Sequence, residues 1–313
     1  MSGGNFNYWW NWYVEWIADG DASARASSRV YAVERTAFQN VMVVELVSLG
    51  KTLIIDGKVQ SSLYDEYVYH ESLVHPPLIA HGSPEKVLIL GGGEGATLRE
   101  VLRYKSVREV HMVDIDEKVI DFSKKFLFEW HRGSFDDPRA KVIIGDGRKF
   151  VEDAVARGEK YDAVIIDLVD PLVGGPAVHL YTRDFYQLIK QLIGEDGVMV
   201  TQATSPILYQ RMYAIILNTI ASVFSIARPY ATYIRSYNGI WGFVFGSEKT
   251  DPLNFKSEDI DARIKSKLKT SQELKFYDGL THEMLFKLPK NIRDSLKLYK
   301  EISTDDSPKY LEI

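Results

Sequence analysis

Five short runs of mainly aliphatic and β-branched residues recur between residues 84 and 202, separated by segments whose apolar residues have helical spacing. This alternation predicts strands that run in one direction, because a helix between two strands returns the chain to the same edge of a sheet. Runs of this kind are typical of strands covered on both faces. The runs are Val87 to Leu90, Val110 to Asp114, Lys141 to Ile144, Ala163 to Asp167 and Val198 to Gln202. We therefore predict an α/β fold with a doubly wound, mostly parallel, Rossmann-like sheet.

The segments on either side of this region have other patterns. Residues 1–70 predict a small N-terminal β domain with tight turns at residues 48–50 and at Asp56-Gly57. Its strands are predicted at Val30 to Thr36, Val41 to Leu49 and Lys51 to Ile55. After Gly246 the chain is charged, with apolar residues at helical spacing over 260–268 and a second possible helix over 291–298. We expect a β domain (1–70), a Rossmann-like catalytic domain (71–250) and a helical extension (251–313) that packs on the catalytic domain and does no chemistry.

Two further features lie at the margins of these parts. Apolar segments over 226–234 and 240–245 are separated by Asn238-Gly239, which predicts an antiparallel edge to the sheet. Near the N-terminus there is an aromatic cluster. It consists of Tyr8, Trp9, Trp10, Trp12, Tyr13 and Trp16. We expect it to fill a compact core or an interface between copies of the chain rather than to form a ligand cage.

The composition excludes several classes of function. The net charge of -5 comes from interspersed acids and bases, without the basic field that nucleic acids select. There is no cysteine, so disulfides, thiolate nucleophiles and cysteine metal sites are excluded. No stretch approaches the ~20 apolar residues that span a bilayer. We expect a cytoplasmic location, no membrane anchor, no signal peptide and no nucleic-acid partner.

Three strand ends together predict an adenosine pocket. The first strand runs into Gly91-Gly92-Gly93-Glu94-Gly95, where glycines let the backbone approach a ligand closely. The second ends in Asp114-Ile115-Asp116, and an acid at this position can accept hydrogen bonds from both ribose hydroxyls. The third ends in Gly145-Asp146-Gly147, whose carboxylate could receive an adenine amine. Strand ends in such sheets are where ligands bind.

Glu94 bears on which adenosine compound binds. A carboxylate inside the loop would repel a pyrophosphate, which needs amide donors and a helix N-terminus. A sulfonium compound whose tail ends in an ammonium would instead be attracted. The alternative is that Glu94 is a solvated acid favoured by the helix dipole.

A pair of carboxylates, Asp167 and Asp170, follows the fourth strand, before the glycine-bearing stretch 173–176. Two acids at the mouth of one cleft can hold a cation and accept a proton from it. An ammonium has no lone pair, so it must lose a proton before it attacks; we assign Asp167 as the base and Asp170 as the anchor. The part of this stretch through Gly175 would form a lid that excludes water. The alternative is that the two acids mark an ordinary turn before Pro171.

Several separate motifs, in order along nearly the whole chain, resemble the spermidine synthase family of polyamine aminopropyltransferases. They are residues 56–60 (DGKVQ), residues 65–71 (DEYVYHE), the loop 91–95, residues 167–171 (DLVDP), residues 180–182 (LYT) and residues 241–243 (WGF). The resemblance implies the methyltransferase-type version of the Rossmann-like sheet. It also implies transfer of the aminopropyl group of decarboxylated S-adenosylmethionine to a polyamine, with release of 5'-methylthioadenosine. Neither a tightly bound cofactor nor a metal is then required, and homodimers or homotetramers are usual.

The resemblance further implies roles for individual residues. Glu94 and Asp167 would bind the aminopropyl ammonium, and Tyr69 would help Asp167 to deprotonate the acceptor. The donor site would comprise Gln39, Gln60, Gly91, Gly93, Glu94, Asp114, Ile115, Asp146 and Gly147. The acceptor site would comprise Tyr69, His70, Asp167, Asp170, Gln202, Tyr237 and Trp241. Under this interpretation Tyr69 is a functional residue rather than a core tyrosine of a strand.

Departures from the common pattern bear on the acceptor. Glu94 stands where the family usually has Asp, Leu168 and Val169 replace serines, and a doubled glycine precedes Pro176. These features resemble thermospermine synthases more closely, and so do residues 201–203 and the tail segment 288–293. The resemblance therefore favours a longer amine, such as spermidine, as the acceptor. No acid follows Ala177, so the resemblance to spermidine synthases does not by itself imply that putrescine is the acceptor. Putrescine, agmatine and long-chain polyamines remain alternative acceptors.

Two other functions stay open on the sequence. A methyltransferase would share the sheet and the adenosine pocket, although Glu94 would disfavour the carboxylate of intact S-adenosylmethionine. A sensor that binds a nucleoside or polyamine without turnover would lack a base, yet Tyr69, Asp167 and Asp170 are all present. The fold alone does not distinguish between these functions.

Overall fold

Two β-sheets organise the chain in the computed structural model, which describes residues 11–269 and 274–311. The first is an antiparallel meander of five strands in sequence order. Its strands are β1 (Asn11–Ala18), β2 (Asp21–Arg35), β3 (Asn40–Leu46), β4 (Gly50–Ile55) and β5 (Lys58–Ser62). The predicted β domain and both turns are confirmed; Asp56 and Gly57 both have positive φ, as such a turn requires. β1 and β5 were not predicted, and β2 begins earlier than expected.

Two members of the aromatic cluster do not fill a core of this chain, so for them the expected interface between copies stays a prediction. Trp12 is 59% exposed and Trp16 is 65% exposed, on the same face of β1 because side chains alternate along a strand. Tyr13 is half-buried, and its hydroxyl donates to the carbonyl of Gly57. Tyr8, Trp9 and Trp10 lie outside the described residues.

The second sheet has seven strands in the order β11-β12-β10-β9-β6-β7-β8. These are β6 (Lys86–Gly91), β7 (Glu109–Asp114), β8 (Ala140–Ile144), β9 (Ala163–Asp167), β10 (Val198–Gln202), β11 (Ile226–Ile234) and β12 (Gly239–Ser247). Strands β10, β9, β6, β7 and β8 are parallel, and β12 pairs antiparallel with β10 and β11. The predicted parallel sheet with an antiparallel edge is confirmed.

Helices cover both faces of this sheet. They are α1 (Glu66–His81), α2 (Ala96–Val101), α3 (Glu117–Phe126), α4 (Phe128–His131), α5 (Gly147–Ala156), α6 (Arg183–Ile193), α7 (Gln210–Ala221), α8 (Ser257–Lys267), α9 (Gly279–Leu285) and α10 (Lys290–Leu298). Successive residues of β6 enter opposite cores: Ile89 packs with α1 and α2, and Leu90 packs with α5 and α6. Within residues 11–269 and 274–311, none of the helices has both the length and the apolar character that a membrane span requires.

Helix α1 links the two sheets and places Tyr69 on a helix, so its reading as a core tyrosine of a strand is wrong. The predicted domain boundary at residue 70 falls inside α1. The three-part division of the chain therefore stays a proposal, with α1 shared between the first two parts.

The helical extension contains the predicted α8 and α10 and one unpredicted helix, α9. Ile260, Ile264 and Leu268 are buried as their spacing predicted. At the last described residue the chain lies beside the loop that follows β9, where Leu311 pairs with Leu172 in an isolated β-bridge.

The order of the strands in the second sheet identifies the edge at which a ligand is expected to bind. From β6 the chain runs outward through β7 and β8, then returns to β9 and β10 on the other side of β6. The connections diverge between β6 and β9, and ligands of doubly wound sheets bind at the carboxyl ends of strands at such a switch point. Gly91 and Asp167, the last residues of β6 and β9, pair across this point.

Candidate active site

A cavity opens at the carboxyl ends of β6, β7, β8 and β9, and the first sheet closes its other side. All nine residues predicted for the donor site line it: Gln39, Gln60, Gly91, Gly93, Glu94, Asp114, Ile115, Asp146 and Gly147. We call this space the donor cavity. The structure thus brings the predicted residues together, although their individual roles remain proposals.

Two glycines of the loop after β6 allow close contacts, one with the backbone of Asp167 and one with the carboxylate of Asp114. A Cβ atom on Gly91 would lie 2.1 Å from the carbonyl oxygen of Asp167, and a Cβ atom on Gly93 would lie 2.8 Å from Oδ2 of Asp114. Gly91 also has φ of +82°, where side chains are strained. The loop therefore brings the backbones of β6 and β9 together and leaves both acids facing the cavity.

Asp114 and Asp146 are each held by a backbone N–H group at the end of a strand. Oδ1 of Asp114 accepts the backbone N–H of Asp116 at 2.9 Å, and burial raises the pKa of Asp114 to about 7. Asp146 accepts the N–H of Lys149 and caps α5. Asp116 instead binds the first sheet, because its Oδ2 accepts Nε2 of Gln39 at 3.1 Å. This contact orients Gln39 at the cavity wall.

The side chain of Asp167 is fixed by two hydroxyl donors. Tyr69 donates to Oδ1 and Thr97 donates to Oδ2, each at 2.6 Å. Burial, with the nearby charge of Glu94, raises the pKa of Asp167 to about 6. Burial and the Asp167 charge raise the pKa of Tyr69 well above 10. Tyr69 is therefore a protonated donor that orients the carboxylate, and Asp167 is the group able to take a proton at neutral pH.

Glu94 and Asp167 share one site, as the sequence predicted. An oxygen of each and a ring nitrogen of His70 lie within 4.8 Å of one another. The structure does not place His70 where it could contact the acceptor, as the sequence had led us to expect. Its side chain is 1% exposed and lies behind Glu94. Its Nε2 lies 2.6 Å from Oε1 of Glu94.

A second cavity continues from the first; we call it the acceptor cavity. Tyr69, Gln60 and Tyr237 line both, whereas Asp167 faces the donor cavity and Asp170 the acceptor cavity. Gln202, Tyr237 and Trp241 line the acceptor cavity as predicted. Nε2 of Gln202 lies 3.1 Å from Oδ1 of Asp170 and 2.9 Å from the carbonyl oxygen of Leu168. Burial raises the pKa of Asp170 to about 6.

Some residues of the site were missed from the sequence. Thr97 lies on α2 without any motif that distinguishes it, and only the fold brings it to Asp167. Pro176, Ala177 and Leu180 line the donor cavity beyond the predicted lid. The sequence could have suggested Pro176 as a site residue, because it follows closely after the motif of residues 167–171. Glu15 and Lys58 enter the acceptor cavity from the first sheet.

The fold and the two cavities define a class of protein: doubly wound α/β proteins that bind ligands at the carboxyl edge of the sheet, here beside a cluster of acids. Comparison with known proteins gives the family. Residues 66–257 match the spermine/spermidine synthase domain. The chain belongs to the spermine/spermidine synthase family, and it is an enzyme of the aminopropyltransferase type.

Relatives and solved structures agree over nearly the full length. The polyamine aminopropyltransferase of Sulfolobus acidocaldarius is 51% identical, covering 96% of this chain and 97% of its own. Polyamine aminopropyltransferase 2 of Hyperthermus butylicus is 49% identical, covering 97% and 98%. The structure of a spermidine synthase with the transition-state analogue AdoDATO superposes with a TM-score of 0.84 at 33% identity, covering 92% and 95%. The Thermotoga maritima spermidine synthase gives 0.83 at 33% identity, covering 92% and 94%.

Proposed function

We propose that this enzyme transfers the aminopropyl group of decarboxylated S-adenosylmethionine to a polyamine, with spermidine as the preferred acceptor and thermospermine or spermine as the product. The observation that carries the proposal is the shared position of Glu94 and Asp167. They face the cavity that also presents Asp114 and Asp146, and the acceptor cavity joins it at Tyr69. The adenine would lie at Asp146, the ribose at Asp114 and the ammonium of the donor between Glu94 and Asp167.

The reaction balances with the donor, the acceptor and one proton. Asp167, oriented by Tyr69, takes a proton from the acceptor ammonium. The freed lone pair attacks the donor carbon next to sulfur, a nitrogen–carbon bond forms, and the carbon–sulfur bond breaks with its electron pair left on sulfur. The products are the extended polyamine and neutral 5'-methylthioadenosine. Alignment of two reactants in adjoining cavities lowers the activation barrier, by about 7 kcal/mol or more in well-aligned systems.

The two acids also discriminate between donors. Intact S-adenosylmethionine carries a carboxylate at the end where Glu94 and Asp167 lie, so two buried negative charges would repel it. Titration calorimetry with both donors separates the proposal from a methyltransferase. We expect the decarboxylated donor to bind more tightly; tighter binding of the intact compound would favour the methyltransferase.

The walls of the acceptor cavity support an acceptor with several ammonium groups. Asp170, Glu15 and Asp56 line it, and so do the rings of Tyr237 and Trp241. Aromatic faces attract cations, and apolar walls suit the alkyl segments between them. Lys58 also lines this cavity. Its charge would exclude an ammonium from its vicinity and so restrict where the nitrogens of a long acceptor lie.

Product analysis tests this function directly. The protein is incubated with the decarboxylated donor and each of putrescine, agmatine, spermidine and spermine, and products are identified by mass and by comparison with linear and branched standards. We expect the highest kcat/KM with spermidine. An Asp167→Asn variant should lose turnover but still bind 5'-methylthioadenosine; near-normal turnover of that variant would refute the assignment of the base.

We further propose a cytoplasmic location and a homodimer or homotetramer. The lack of cysteine suits a reducing compartment. Exposed Trp12, Val14 and Trp16 on one face of β1 support burial against another copy of the chain. Sedimentation of a Trp12→Ser, Trp16→Ser variant tests the assembly, and an unchanged mass would exclude this face as the interface.

A further inference from the structure

His70 lies directly after Tyr69 on α1 and joins two carboxylate side chains. Its Nε2 is 2.6 Å from Oε1 of Glu94. Its Nδ1 is 2.6 Å from the carbonyl oxygen of Glu66 and 3.0 Å from Oε2 of the same residue. The ring is buried, so these oxygens take the place of solvent at both nitrogens.

The hydrogen-bond partners determine the protons on this ring. A carbonyl oxygen only accepts, so Nδ1 must carry a proton. An ionised carboxylate also only accepts, so a second proton must lie between Nε2 and Glu94. Burial opposes a charged ring, but the hydrogen bonds that the ring donates to Glu66 and Glu94 outweigh it and raise the pKa of His70 to about 10. The ring therefore brings a positive charge to the back of Glu94.

Behind His70 acidic and basic side chains alternate into the protein interior. Nη2 of Arg99 lies 2.9 Å from Oε2 of Glu66, and Nε of Arg99 lies 2.8 Å from Oε1 of Glu100. Nε2 of His75 lies 3.1 Å from Oε2 of Glu100. Breaking one member of a buried ion-pair network leaves the others uncompensated, which is costly. His70 cannot turn towards a substrate without losing both of its carboxylate partners.

The groups around Asp167 give this charge a function. Asp167 is faced by Glu94 of the loop after β6, His70 and Tyr69 of α1, Thr97 of α2, Asp114 of β7 and Tyr237 before β12. Among these, Glu94 opposes ionisation of Asp167 and His70 favours it. A glutamine at position 70 could donate a hydrogen bond to Glu94 but could not supply the charge.

We propose that His70 is a positioning residue whose positive charge holds Glu94 in the donor cavity and keeps Asp167 ionised at neutral pH. The inference rests on the proposed roles of Glu94 and Asp167 in donor binding. It differs from the sequence expectation, because His70 acts through two carboxylates and makes no contact with the acceptor.

The pH profile of kcat/KM for the decarboxylated donor tests the proposal, since it reports groups of the donor-free enzyme. In His70→Gln the acidic limb should move up by about one pH unit, because an opposite charge next to Asp167 is lost. In Glu94→Gln the limb should move down, and in the double variant it should return towards the wild-type position. The KM for the donor should rise about tenfold in His70→Gln, as expected for a lost charge-assisted hydrogen bond, and the KM for spermidine should stay within about twofold.

His81→Gln is the matched control, since His81 ends the same helix away from both cavities. It should leave the profile unchanged. If His70 contacts the acceptor instead, His70→Gln will raise the KM for spermidine and leave the acidic limb in place. That result would overturn the proposal.

A measurement on the wild-type protein covers the case in which His70→Gln does not fold. Nitrogen NMR of histidine-labelled protein at pH 8, with His70 assigned through its backbone, should show both ring nitrogens protonated. A neutral His70 ring at this pH would refute the inference. The proposed function fails separately, if the wild-type protein extends none of the four amines with the decarboxylated donor, and that result would leave the protonation of His70 standing.

Discussion

The hydroxyl of Tyr69 donates a 2.6 Å hydrogen bond to Oδ1 of Asp167, joining helix α1 to the end of strand β9 at the border of the two cavities. This bond connects a residue near the start of the family-matched region with one 98 positions later. Under the proposed function, the attacking nitrogen would pass this bond on its way from the acceptor cavity to the donor carbon. Tyr69 is buried and Asp167 is half-buried, so the bond sets the direction in which the carboxylate can receive a proton.

Tyr69→Phe should lower kcat by about 10- to 100-fold, towards the lower range of general acid–base effects, because Asp167 remains but loses its orienting donor. The same hydrogen bond lowers the pKa of Asp167, so its loss should also move the acidic limb of the pH profile upwards. Steady-state kinetics across pH measure both effects. Tyr230→Phe is the control, since its hydroxyl bonds the carbonyl of Ser72 away from both cavities. Unaltered kinetics in Tyr69→Phe would contradict the prediction.

Asp170→Asn should raise the KM for the acceptor about tenfold or more, because a buried carboxylate that pairs with an ammonium is lost. The affinity for 5'-methylthioadenosine should not change, since Asp170 lines only the acceptor cavity. Burial raises the pKa of Asp170 to about 6, so the KM for the acceptor in the wild type should increase below that pH as the carboxyl becomes neutral. Asp153→Asn, on the exposed side of α5, is the control. Equal changes in donor and acceptor binding would argue against separate sites.

Asp114→Asn should stabilise the ligand-free protein at pH 8 while it weakens nucleoside binding. Burial raises the pKa of Asp114 from 3.8 to about 7, so the folded state holds this proton more tightly than the unfolded state. The resulting stability is present below about pH 4 and is lost as the pH rises through about 7. At pH 8 the variant avoids a buried charge, and we expect a gain of about 1 kcal/mol or more in the free energy of unfolding.

Thermal unfolding at pH 8 and pH 4, with and without 5'-methylthioadenosine, measures this effect. The gain should be absent at pH 4, where Asp114 is protonated in the folded wild type. Asp121→Asn, which is exposed on α3, should change neither stability nor binding. A variant that is less stable than the wild type at pH 8 would show that the buried charge of Asp114 does not destabilise the folded protein.

Leu311→Pro should raise the KM for the acceptor severalfold and speed proteolysis within residues 172–176. The N–H of Leu311 donates to the carbonyl oxygen of Pro171 at 2.8 Å, and the N–H of Val173 donates to the carbonyl oxygen of Leu311 at 3.2 Å. Proline has no N–H, so the first bond is lost. Leu172 and Gly175 in the same loop line the acceptor cavity. Leu311→Val keeps the backbone bond and should behave as wild type; identical kinetics in both variants would show that the tail does not hold the loop.

The doubly wound sheet could be predicted because its cause is local. Residues such as Leu88 and Ile89 are both apolar because helices cover both faces, and that pattern is present within each short segment. Acids at the ends of strands could be assigned to one edge for the same reason, since parallel strands place their carboxyl ends together. Asp114, Asp146, Glu94 and Asp167 therefore met at one cavity as expected.

Contacts between distant segments could not be predicted in this way. The aromatic spacing of β1 is the same whether Trp12 and Trp16 face a core or solvent, and only the packing of the first sheet left them exposed. Thr97 carries no distinguishing signal, and the pairing of Leu311 with Leu172 joins residues far apart in the chain.

The amino-acid sequence by itself determined the parallel sheet, the glycine loop and the acids at its edge, because strand periodicity and backbone sterics act over a few residues. Tertiary structure decided what each polar side chain faces. His70 follows Tyr69 directly, yet on a helix consecutive side chains point about 100° apart. One of them consequently reaches Asp167, and the other is enclosed between Glu66 and Glu94.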